Sequence, residues 1–268
     1  MPGRGDMTAG QDAEAPFLSI VIPAYNEEEN IHCGCLQDVA DYLSRQEYAS
    51  ELIVVDDGSE DATAALVAEA SGRWPFVSLQ RSEHGGKAHA VTVGILAARG
   101  AYVLFTDMDQ STPVRFVEDA LRELQSGRDV VIGSRWLKGG SRLREPLLRS
   151  VMGRTFAMLV RILLLRDIRD SQCGFKGFRR EVARELFRNM MVFGGEARAP
   201  SGPMVTAFDV ELLLLARKRG YRIKEIPVTW RHVATRRVSP AKDAYRMLKE
   251  LLQVWFNNLR GRYDQRRG

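Results

Sequence analysis

Two aspartates separated by one residue, Asp107 and Asp109, form the pair whose spacing most directly suggests chemistry. They follow the mostly apolar run 102–106, whose β-forming residues predict a buried strand. A helical pattern begins at residue 114, so the pair lies in the loop at the strand's C-terminal end, where open α/β sheets bind ligands. Two such carboxylates can share one hard divalent cation, Mg²⁺ or Mn²⁺, which would hold the phosphates of a nucleotide. The alternative is a polar loop behind a core strand, so the metal site needs support from the rest of the chain.

The elements that must position this pair alternate along the first half of the chain. Apolar runs predict strands, and a helical period between them predicts helices of about a dozen residues. The predicted strands span residues 17–23, 51–55, 76–80, 102–106 and 129–132, and the predicted helices span residues 27–44, 61–70, 87–98 and 114–125. This alternation predicts an α/β fold with a parallel, doubly wound sheet and helices on both of its faces.

Polar side chains follow four of these predicted strands at the point where each strand ends. They are Tyr25, Asn26 and Glu27, then Asp56 and Asp57, then Asp107 and Asp109, and finally Arg135. Each group alone is compatible with ordinary loop chemistry. Because the carboxyl ends of parallel strands meet at one edge of a sheet, the four groups together predict a binding site there.

The segment Gly85-Gly86-Lys87 has a superficial likeness to a phosphate-binding P-loop. The spacing of that motif is absent, because Ala88 follows the lysine and no earlier glycine fits, so we exclude a P-loop NTPase. Backbone N–H groups at the start of the following helix can still bind a phosphate. An ordinary glycine turn explains the segment equally well, and the sequence alone leaves both interpretations open.

Composition places the chain among ordinary globular proteins of about one large domain, since 268 residues can bury a sizeable core. The net charge of +5 suits an anionic partner, which could be phosphate, a lipid surface or nucleic acid. The three cysteines, Cys33, Cys35 and Cys173, lack a disulfide framework and a zinc-ligand pattern, which favours a reducing compartment. Residues 1–15 lack the apolar stretch of a signal peptide and predict a disordered tail, and no segment predicts a transmembrane helix.

Two segments of the second half are amphipathic and rich in arginine. Residues 142–166 carry apolar residues at helical spacing between arginines, and we expect a break near Gly153. Residues 241–259 predict a final helix with an apolar side, followed by a basic tail. Such segments lie in a membrane interface with arginines toward anionic head groups, or they pack on the sheet with a solvated arginine face. The pattern alone does not decide between the two.

Other segments of the second half give weaker signals. Residues 168–179 predict a turn and a short strand beside the site, and residues 194–205 predict a mobile loop able to cover an acceptor. Residues 208–219 predict a helix, in whose first turn Asp209 and Glu211 would favour the helix dipole. Residues 221–230 predict a pair of strands around a proline.

Seven of these segments, in this order, resemble the family 2 glycosyltransferases of GT-A fold. The likeness is greatest to the dolichyl- and polyprenyl-phosphate sugar synthases, in particular their glucosyl branch. The segments are 19–28 (SIVIPAYNEE), 54–59 (VVDDGS), 107–113 (DMDQSTP), 133–135 (GSR), 170–176 (DSQCGFK), 208–213 (FDVELL) and 225–230 (EIPVTW). The resemblance implies a GT-A, Rossmann-like catalytic domain over residues 16–235 that includes the amphipathic interface segment 142–166. The tail 1–15 precedes this domain, and an amphipathic helix with a basic tail, residues 236–268, follows it.

The resemblance also implies roles for individual residues. The donor nucleotide sugar would contact Pro23, Ala24, Tyr25, Glu27, Asp56, Asp57, Lys87, Asp107 and Met108, with Asp56 accepting a hydrogen bond from the base. Asp107 and Asp109 would bind Mg²⁺ or Mn²⁺ on the donor diphosphate, where the cation neutralises the leaving group. Arg135 and Arg149 would hold the acceptor phosphate, for which a guanidinium fork is suited. The catalytic set would be Asp109, Arg135, Asp170 and Gln172.

The implied reaction is an inverting transfer of a sugar, glucose from UDP-glucose, to a polyprenyl or dolichyl phosphate, at the cytoplasmic face of the cell membrane. Mannosyl members usually have leucine and then glutamine after the D-x-D, where this chain has Gln110 and Ser111, and this difference favours the glucosyl branch. A GDP-mannose donor is the alternative. A soluble acceptor is a second alternative. A nucleic-acid partner is disfavoured, because the arginines interleave with apolar residues instead of forming a basic face. The sequence leaves the oligomeric state open.

Overall fold

The structure is a computed structural model that describes residues 15–143, 147–193, 207–233 and 240–264, with the backbone alone for 147–149 and 240–243. The strands in these ranges are β1 (Leu18–Ala24), β2 (Ser50–Asp56), β3 (Val77–Arg81), β4 (Tyr102–Phe105), β5 (Val130–Ser134), β6 (Ser141–Leu143), β7 (Lys176–Arg179), β8 (Ile223–Pro227) and β9 (Thr229–Arg231). The helices are α1 (Glu28–His32), α2 (Cys35–Ser44), α3 (Thr63–Arg73), α4 (Lys87–Ala97), α5 (Val117–Gln125), α6 (Leu147–Leu163), α7 (Arg180–Arg188), α8 (Phe208–Lys218) and α9 (Pro240–Leu259). The predicted tail 1–15, apart from Ala15, and the predicted loop 194–205 lie outside the described residues.

Seven strands form one sheet in the order β3-β2-β1-β4-β7-β5-β8. All neighbouring pairs are parallel except those made by β7, which runs antiparallel to β4 on one side and to β5 on the other. The structure confirms the predicted mostly parallel α/β sheet. The sequence did not indicate that β7 is inserted between β4 and β5 in the opposite direction.

Side chains of each central strand alternate between two cores, one on each face of the sheet. Along β1, Val21 packs in one core, whereas Ile20 and Ile22 pack in the other. Helices α4, α6, α7, α8 and α9 cover the face of Val21, and helices α2, α3 and α5 cover the opposite face. Burial on both faces explains why these strands are continuous apolar runs instead of alternating patterns.

Several predicted helices have different bounds in the structure. The predicted helix 27–44 is two helices, α1 and α2, because Gly34 adopts a φ of +89° between them. The first turn of the predicted helix 114–125 is a 3₁₀ turn, Val114–Phe116. The break expected near Gly153 is wrong, because α6 continues through it and a glycine inside a helix lowers stability without ending the helix. Helix α7 was not predicted.

The strand pair predicted around Pro227 is also different. β8 ends at this proline as a strand of the main sheet, where it pairs with β5. β9 pairs with β6 in a separate two-stranded sheet and does not pair with β8. Proline lacks the N–H that would continue a ladder, which explains the change of sheet at this position.

The two amphipathic helices combine both interpretations left open by the sequence. In α6, Val160 is buried in the core and Leu159 and Leu163 pack against it, whereas other apolar residues are exposed; these are Val151 (60%), Met158 (55%) and Ile162 (61%). In α9, Leu251 and Val254 are fully buried, whereas an exposed row contains Tyr245, Leu248, Leu252, Phe256 and Leu259. Among the described residues, no helix is both long and apolar enough to cross a membrane.

Candidate active site

The parallel strands bring the predicted polar residues to one edge of the sheet. Ala24 at the end of β1 is in register with Asp56 at the end of β2, and Phe105 at the end of β4 pairs with Val21 of β1. The loops after these three strands therefore emerge side by side. Arg135 follows β5, which runs in the same direction as β4, so the fourth polar group lies at the same edge.

Asp56 is a fully buried carboxylate, and one of its oxygens lacks a hydrogen-bond donor. Its Oδ1 accepts the N–H of Ser59 at 3.1 Å, and its Oδ2 lies 3.6 Å from Nε of Arg81. Among the described residues, Oδ2 has no hydrogen-bond partner. A buried acceptor without a donor costs free energy, so this oxygen favours a ligand that brings an N–H group, such as a nucleobase.

The contacts of Asp57 distinguish between the two interpretations of Gly85 and Gly86, a phosphate site or an ordinary turn. Its carboxylate accepts the N–H groups of Gly85 and Gly86, both at 2.8 Å, and lies 2.9 Å from Nδ1 of His84. Gly86 has a φ of +83°, which a glycine adopts without strain. The two N–H groups are thus used inside the protein, and the segment is a turn held by Asp57. The role of Asp57 here is to shape the turn that precedes Lys87.

The loop after β1 is held by side chains of the loop after β2. Asn26 adopts a φ of +53°, its N–H donates to Oγ of Ser59 at 2.9 Å, and its side-chain oxygen accepts the N–H of Glu60 at 2.8 Å. Asparagine is among the few residues that tolerate this conformation. The ring of Tyr25 stacks on the ring of His84, with 4.4 Å between centroids. The two loops therefore form one preorganised wall, in which His84 is a residue that the sequence did not single out.

The D-x-D loop is compact and tightly packed. Oδ1 of Asp109 accepts the N–H of Ser111 at 2.9 Å, and Oδ1 of Asp107 forms an ion pair with Nζ of Lys87. A Cβ added to Gly174 would lie 2.0 Å from Oδ2 of Asp107, so only glycine fits beside this carboxylate. The side chain of Met108 is buried in the core, which leaves its main chain alone for contact with a donor.

The electrostatics of this loop favour an added cation. Burial and the neighbouring charge of Asp107 raise the pKa of Asp109 above its ordinary value. Partial burial by itself lowers the pKa of Lys87, but the carboxylates of Asp107, Asp209 and Asp109 outweigh it, and the pKa is raised. Carboxylates are therefore in excess over cations at this edge, which is the charge balance that a divalent cation corrects.

The residues present fit Mg²⁺ or Mn²⁺ chemically. Asp107 and Asp109 supply hard oxygen ligands, and the carboxylate of Asp107 packs directly against Gly174, which limits its movement. No group of three or more His, Cys, Asp or Glu side chains suited to a metal occurs among the described residues. The remaining coordination positions of a cation here would belong to water and to ligand phosphates, as is usual for Mg²⁺ at nucleotide sites.

A second ion pair lies beneath the D-x-D loop. Lys176 of β7 is fully buried, with Nζ 2.6 Å from Oδ1 of Asp209 and 5.4 Å from the ring centroid of Phe105. Burial raises the pKa of Asp209, and the charges of Lys176 and Lys87 offset part of this rise. The sequence interpretation of Asp209 as a helix-dipole residue was therefore incomplete. A lysine between aromatic residues of a strand was the signal available, since a buried lysine requires a partner.

Arg135 and Asp170, both predicted catalytic residues, are brought together as a bidentate pair. Nε and Nη2 of Arg135 donate to the two oxygens of Asp170 at 2.7 Å each, and the main-chain N–H of Arg135 donates to the same carboxylate at 2.9 Å. Glu225 orients this loop by accepting the N–H of Asp170 at 3.0 Å. Gln172 is half-buried beside the pair, and its Nε2 has no hydrogen-bond partner among the described residues. Asp170 thus holds the guanidinium in one orientation.

A surface pocket of about 390 Å³ adjoins Arg135. Its lining residues are Arg135, Trp136, Leu137, Gly140, Ser141, Arg142, Ser150 and Arg154. The side chain of Arg149, predicted to hold the acceptor phosphate, lies outside the described part of the chain. Arg142 and Arg154 were not predicted as site residues.

Comparison with known proteins agrees with this geometry. The model of Glycosyl transferase family 2 matches residues 19–187, which contain the D-x-D loop and Arg135. The dolichyl-phosphate beta-glucosyltransferase of Dictyostelium discoideum is 32% identical over 259 residues, which cover 91% of this chain and 76% of the relative. The enzymes of the same name from Drosophila melanogaster and Saccharomyces cerevisiae are 33% and 32% identical, with 94% of this chain and 78% of each relative covered.

Solved structures share the fold at lower identity. Glucosyl-3-phosphoglycerate synthase from Mycobacterium tuberculosis, in complex with Mn²⁺, UDP-glucose and phosphoglyceric acid, has a TM-score of 0.61 and 20% identity, covering 90% of this chain and 80% of that chain. A mannosyltransferase from Pyrobaculum calidifontis, in complex with GDP-Man and Mn²⁺, has a TM-score of 0.58 and 21% identity. That match covers 92% of this chain and 65% of the mannosyltransferase chain.

These comparisons confirm the GT-A-like fold and the resemblance noted from the seven sequence segments. The structural neighbours show the fold, and the family model together with relatives more than 30% identical shows the family. The chain is a glycosyltransferase and belongs to glycosyl transferase family 2.

Proposed function

We propose that this glycosyltransferase moves glucose from UDP-glucose to a dolichyl or polyprenyl phosphate and inverts the configuration at the sugar, giving a β-linked lipid phosphate glucose. The observation that carries the proposal is the single sheet edge that places Asp56, Asp107 and Asp109 beside Arg135 and its arginine-lined pocket. This arrangement offers one side to a nucleotide and the other to a phosphate. The names of the relatives support dolichyl phosphate as acceptor and glucose as the sugar.

The donor side would bind a uridine nucleotide. Oδ2 of Asp56, buried and without a hydrogen-bond partner among the described residues, would accept the N3–H of uracil. Pro23, Ala24, Tyr25 and Glu27 would line the nucleoside pocket from the loop after β1. Asp57 would act indirectly, through the turn that it holds before Lys87.

Asp107 and Asp109 would hold Mg²⁺ or Mn²⁺ together with the donor diphosphate. The cation would supply Lewis-acid neutralisation of the nucleoside diphosphate as it leaves. Lys87, already an ion-pair partner of Asp107, would add a positive charge to the same diphosphate. Both groups stabilise charge that develops on the leaving group, which is the form of stabilisation that accelerates transfer.

The acceptor side needs position more than proton transfer. A phosphate monoester is already an anion at neutral pH, so it can attack the anomeric carbon without a strong general base. Arg135 and Arg149 would hold this phosphate, and Asp170 would keep the guanidinium of Arg135 in place. Gln172 would donate from Nε2 to the sugar or the phosphate.

The exposed apolar rows of α6 and α9 would attach the enzyme peripherally to the inner face of the cell membrane, where such an acceptor resides. On α6, Arg154 and Arg161 are exposed within a turn of Met158. Apolar burial and attraction to anionic head groups act together on a helix of this kind. The proposal includes no nucleic-acid partner.

Calorimetry with nucleotides tests the donor half of the proposal. In the presence of Mn²⁺, we expect UDP to bind more tightly than GDP. We expect Asp56→Asn to weaken UDP binding at least tenfold, because the one amide oxygen would accept the N–H of Ser59 and a donating NH₂ group would face the base. A tighter complex with GDP would indicate a mannosyl donor instead.

Incubation with labelled UDP-glucose and GDP-mannose, each with polyprenyl phosphates, tests the whole reaction. We expect label in a lipid product from UDP-glucose alone, with the β configuration by NMR. Transfer to water-soluble acceptors without any gain from prenyl phosphate would contradict the lipid acceptor.

A further inference from the structure

The pocket beside Arg135 has the composition of an anion site. Three of its eight lining residues are arginines, two are serines, and no Asp or Glu is among the described residues that line it. Asp170 balances the charge of Arg135 through its bidentate contact. Arg142 and Arg154 add two further guanidinium groups to the same pocket.

Trp136 braces these two arginines. The guanidinium carbon of Arg142 lies 3.8 Å from the ring centroid of Trp136, and that of Arg154 lies 5.4 Å from the same centroid. Arg142 belongs to β6, whereas Arg154 belongs to α6, so one indole ring fixes guanidinium groups from two separate elements. Guanidinium groups held in this way lose less freedom when they bind an oxyanion, which increases affinity.

One face of α6 connects this pocket to an apolar surface. Residues three, four and seven apart lie on the same side of a helix, so Arg154 is a neighbour of Val151 and Met158, and Ile162 continues the row. Val151, Met158 and Ile162 are each more than half exposed. At ~1.5 Å per residue the row from Val151 to Ile162 is about 16 Å long. A charged pocket thus opens beside an exposed apolar strip.

We propose that Arg142 and Arg154, braced by Trp136, bind the phosphate of an amphiphilic phosphate monoester whose apolar chain lies along the Val151–Met158–Ile162 strip of α6. The inference rests on the proposed function, which it deepens. It assigns the acceptor phosphate to two arginines outside the predicted set, and it places the first part of the acceptor's prenyl chain along α6. Arg135, held by Asp170, completes the phosphate site from the side of the donor. The acceptor is thus recognised by both its phosphate charge and its apolar prenyl chain.

Direct binding tests this assignment without depending on sugar transfer. Calorimetry in detergent-free buffer would compare farnesyl phosphate, farnesol and inorganic phosphate on the full chain. We expect farnesyl phosphate to bind at least tenfold more tightly than either of the others, because each of these contacts half of the site. Arg142→Gln and Arg154→Gln should each weaken farnesyl phosphate binding about tenfold, and UDP binding with Mn²⁺ should stay within twofold of the wild-type value.

Arg161→Gln is the matched control. This exposed arginine lies on α6 two turns from Arg154, about 10 Å further along, and its loss changes the net charge by the same amount. We expect its affinity for farnesyl phosphate to stay within twofold of wild type. Equal weakening by Arg161→Gln, or unchanged binding in Arg142→Gln and Arg154→Gln, would overturn the assignment.

Two further results separate the possible sources of the phosphate. Inorganic phosphate binding as tightly as farnesyl phosphate would overturn the amphiphile and leave a site for free phosphate. Short-chain phosphatidic acid binding more tightly than farnesyl phosphate would overturn the prenyl ligand in favour of a membrane lipid head group. Farnesyl phosphate binding that depends on both arginines, without glucose transfer from UDP-glucose, would uphold this site and contradict the proposed function instead.

Discussion

Asp107 and Asp109 are placed where their charge is costly for the protein alone. Burial and the mutual repulsion of the two groups raise the pKa of Asp109, and one lysine, Lys87, contacts the pair directly. Such an arrangement is retained when a ligand supplies the missing positive charge. The same two residues therefore explain both a local cost in stability and the proposed cation on the donor diphosphate.

Replacing Asp109 with Asn tests this interpretation. The substitution keeps the shape but removes a charged ligand of the cation, so we expect turnover to fall on the order of a thousandfold, since such a cation stabilises the transition state by several kcal/mol. EDTA should abolish activity, and added Mn²⁺ should restore it. Asp119→Asn, on the exposed side of α5, is the matched control and should leave the rate unchanged. Full activity of the wild type in EDTA would refute the metal site.

At the scale of elements, carboxylates hold the ends of helices together across long sequence distances. Glu211 of α8 accepts N–H groups from Met191, Val192 and Phe193 and the hydroxyl of Tyr263. Glu250 of α9 accepts the N–H of Ala207 at 2.8 Å, directly before α8. These contacts join α7, α8 and α9 and position Asp209 of α8 against Lys176 of β7.

The contact between Glu250 and Ala207 predicts a pH dependence of stability. Burial raises the pKa of Glu250 above its ordinary value of 4.5. At a pH between 4.5 and the raised pKa of the folded state, the folded protein therefore binds more protons than the unfolded chain. The free energy of unfolding therefore falls as pH rises through this window and stays lowered at neutral pH. Glu250→Gln keeps an acceptor oxygen but does not titrate, so its Tm minus that of wild type should be more positive at pH 7.5 than at pH 4.5. A difference that shrinks or reverses with rising pH would contradict this sign.

The exposed row of α6 makes a second prediction at this scale. Met158→Glu combined with Ile162→Glu removes apolar contact and adds negative charge, so co-sedimentation with anionic liposomes should weaken at least tenfold while UDP binding stays unchanged. Met191→Glu is the control for Met158→Glu alone, since each adds one negative charge; Met191 is 51% exposed and lies outside α6 and α9, and Met158 is 55% exposed. Equal loss of binding in Met191→Glu would show that added charge alone is responsible.

The helices and strands also show which features of the fold and site could be predicted from the sequence. Continuous apolar runs predicted the parallel strands because both faces of the sheet are buried, and the polar residues after them were correctly brought to one edge. Leu159 and Leu163, by contrast, share the periodicity of Met158 and Ile162, and only tertiary packing shows that the first two contact the core. The Lys176–Asp209 pair and the bracing of Arg142 and Arg154 by Trp136 join residues distant in sequence, so no local pattern could reveal them.

For the molecule as a whole, the distribution of charge and apolar surface predicts how the enzyme meets its acceptor. The net charge is +5, and exposed basic residues accompany the apolar rows of α6 and α9; these residues are Arg154, Arg161, Lys249, Arg260 and Arg262. Each basic residue near an anionic surface contributes about 1 kcal/mol, so a few of them suffice for reversible attachment. The sheet edge with Arg135 would then lie close to the head groups that present the acceptor phosphate.

Salt should separate this surface attraction from binding inside the pocket. The Debye length falls from about 10 Å at 0.1 M to about 3 Å at 1 M, which screens exposed charges far more than the partly buried contacts of the pocket. We therefore expect raised NaCl to release the enzyme from anionic liposomes and to lower its rate on a long-chain acceptor in those liposomes several-fold. The rate on dissolved farnesyl phosphate should fall much less, because that acceptor needs no membrane attachment. Sedimentation and rate would be measured across one salt series, and equal loss of rate on both acceptors would locate the salt effect in the pocket and contradict electrostatic attachment to the membrane.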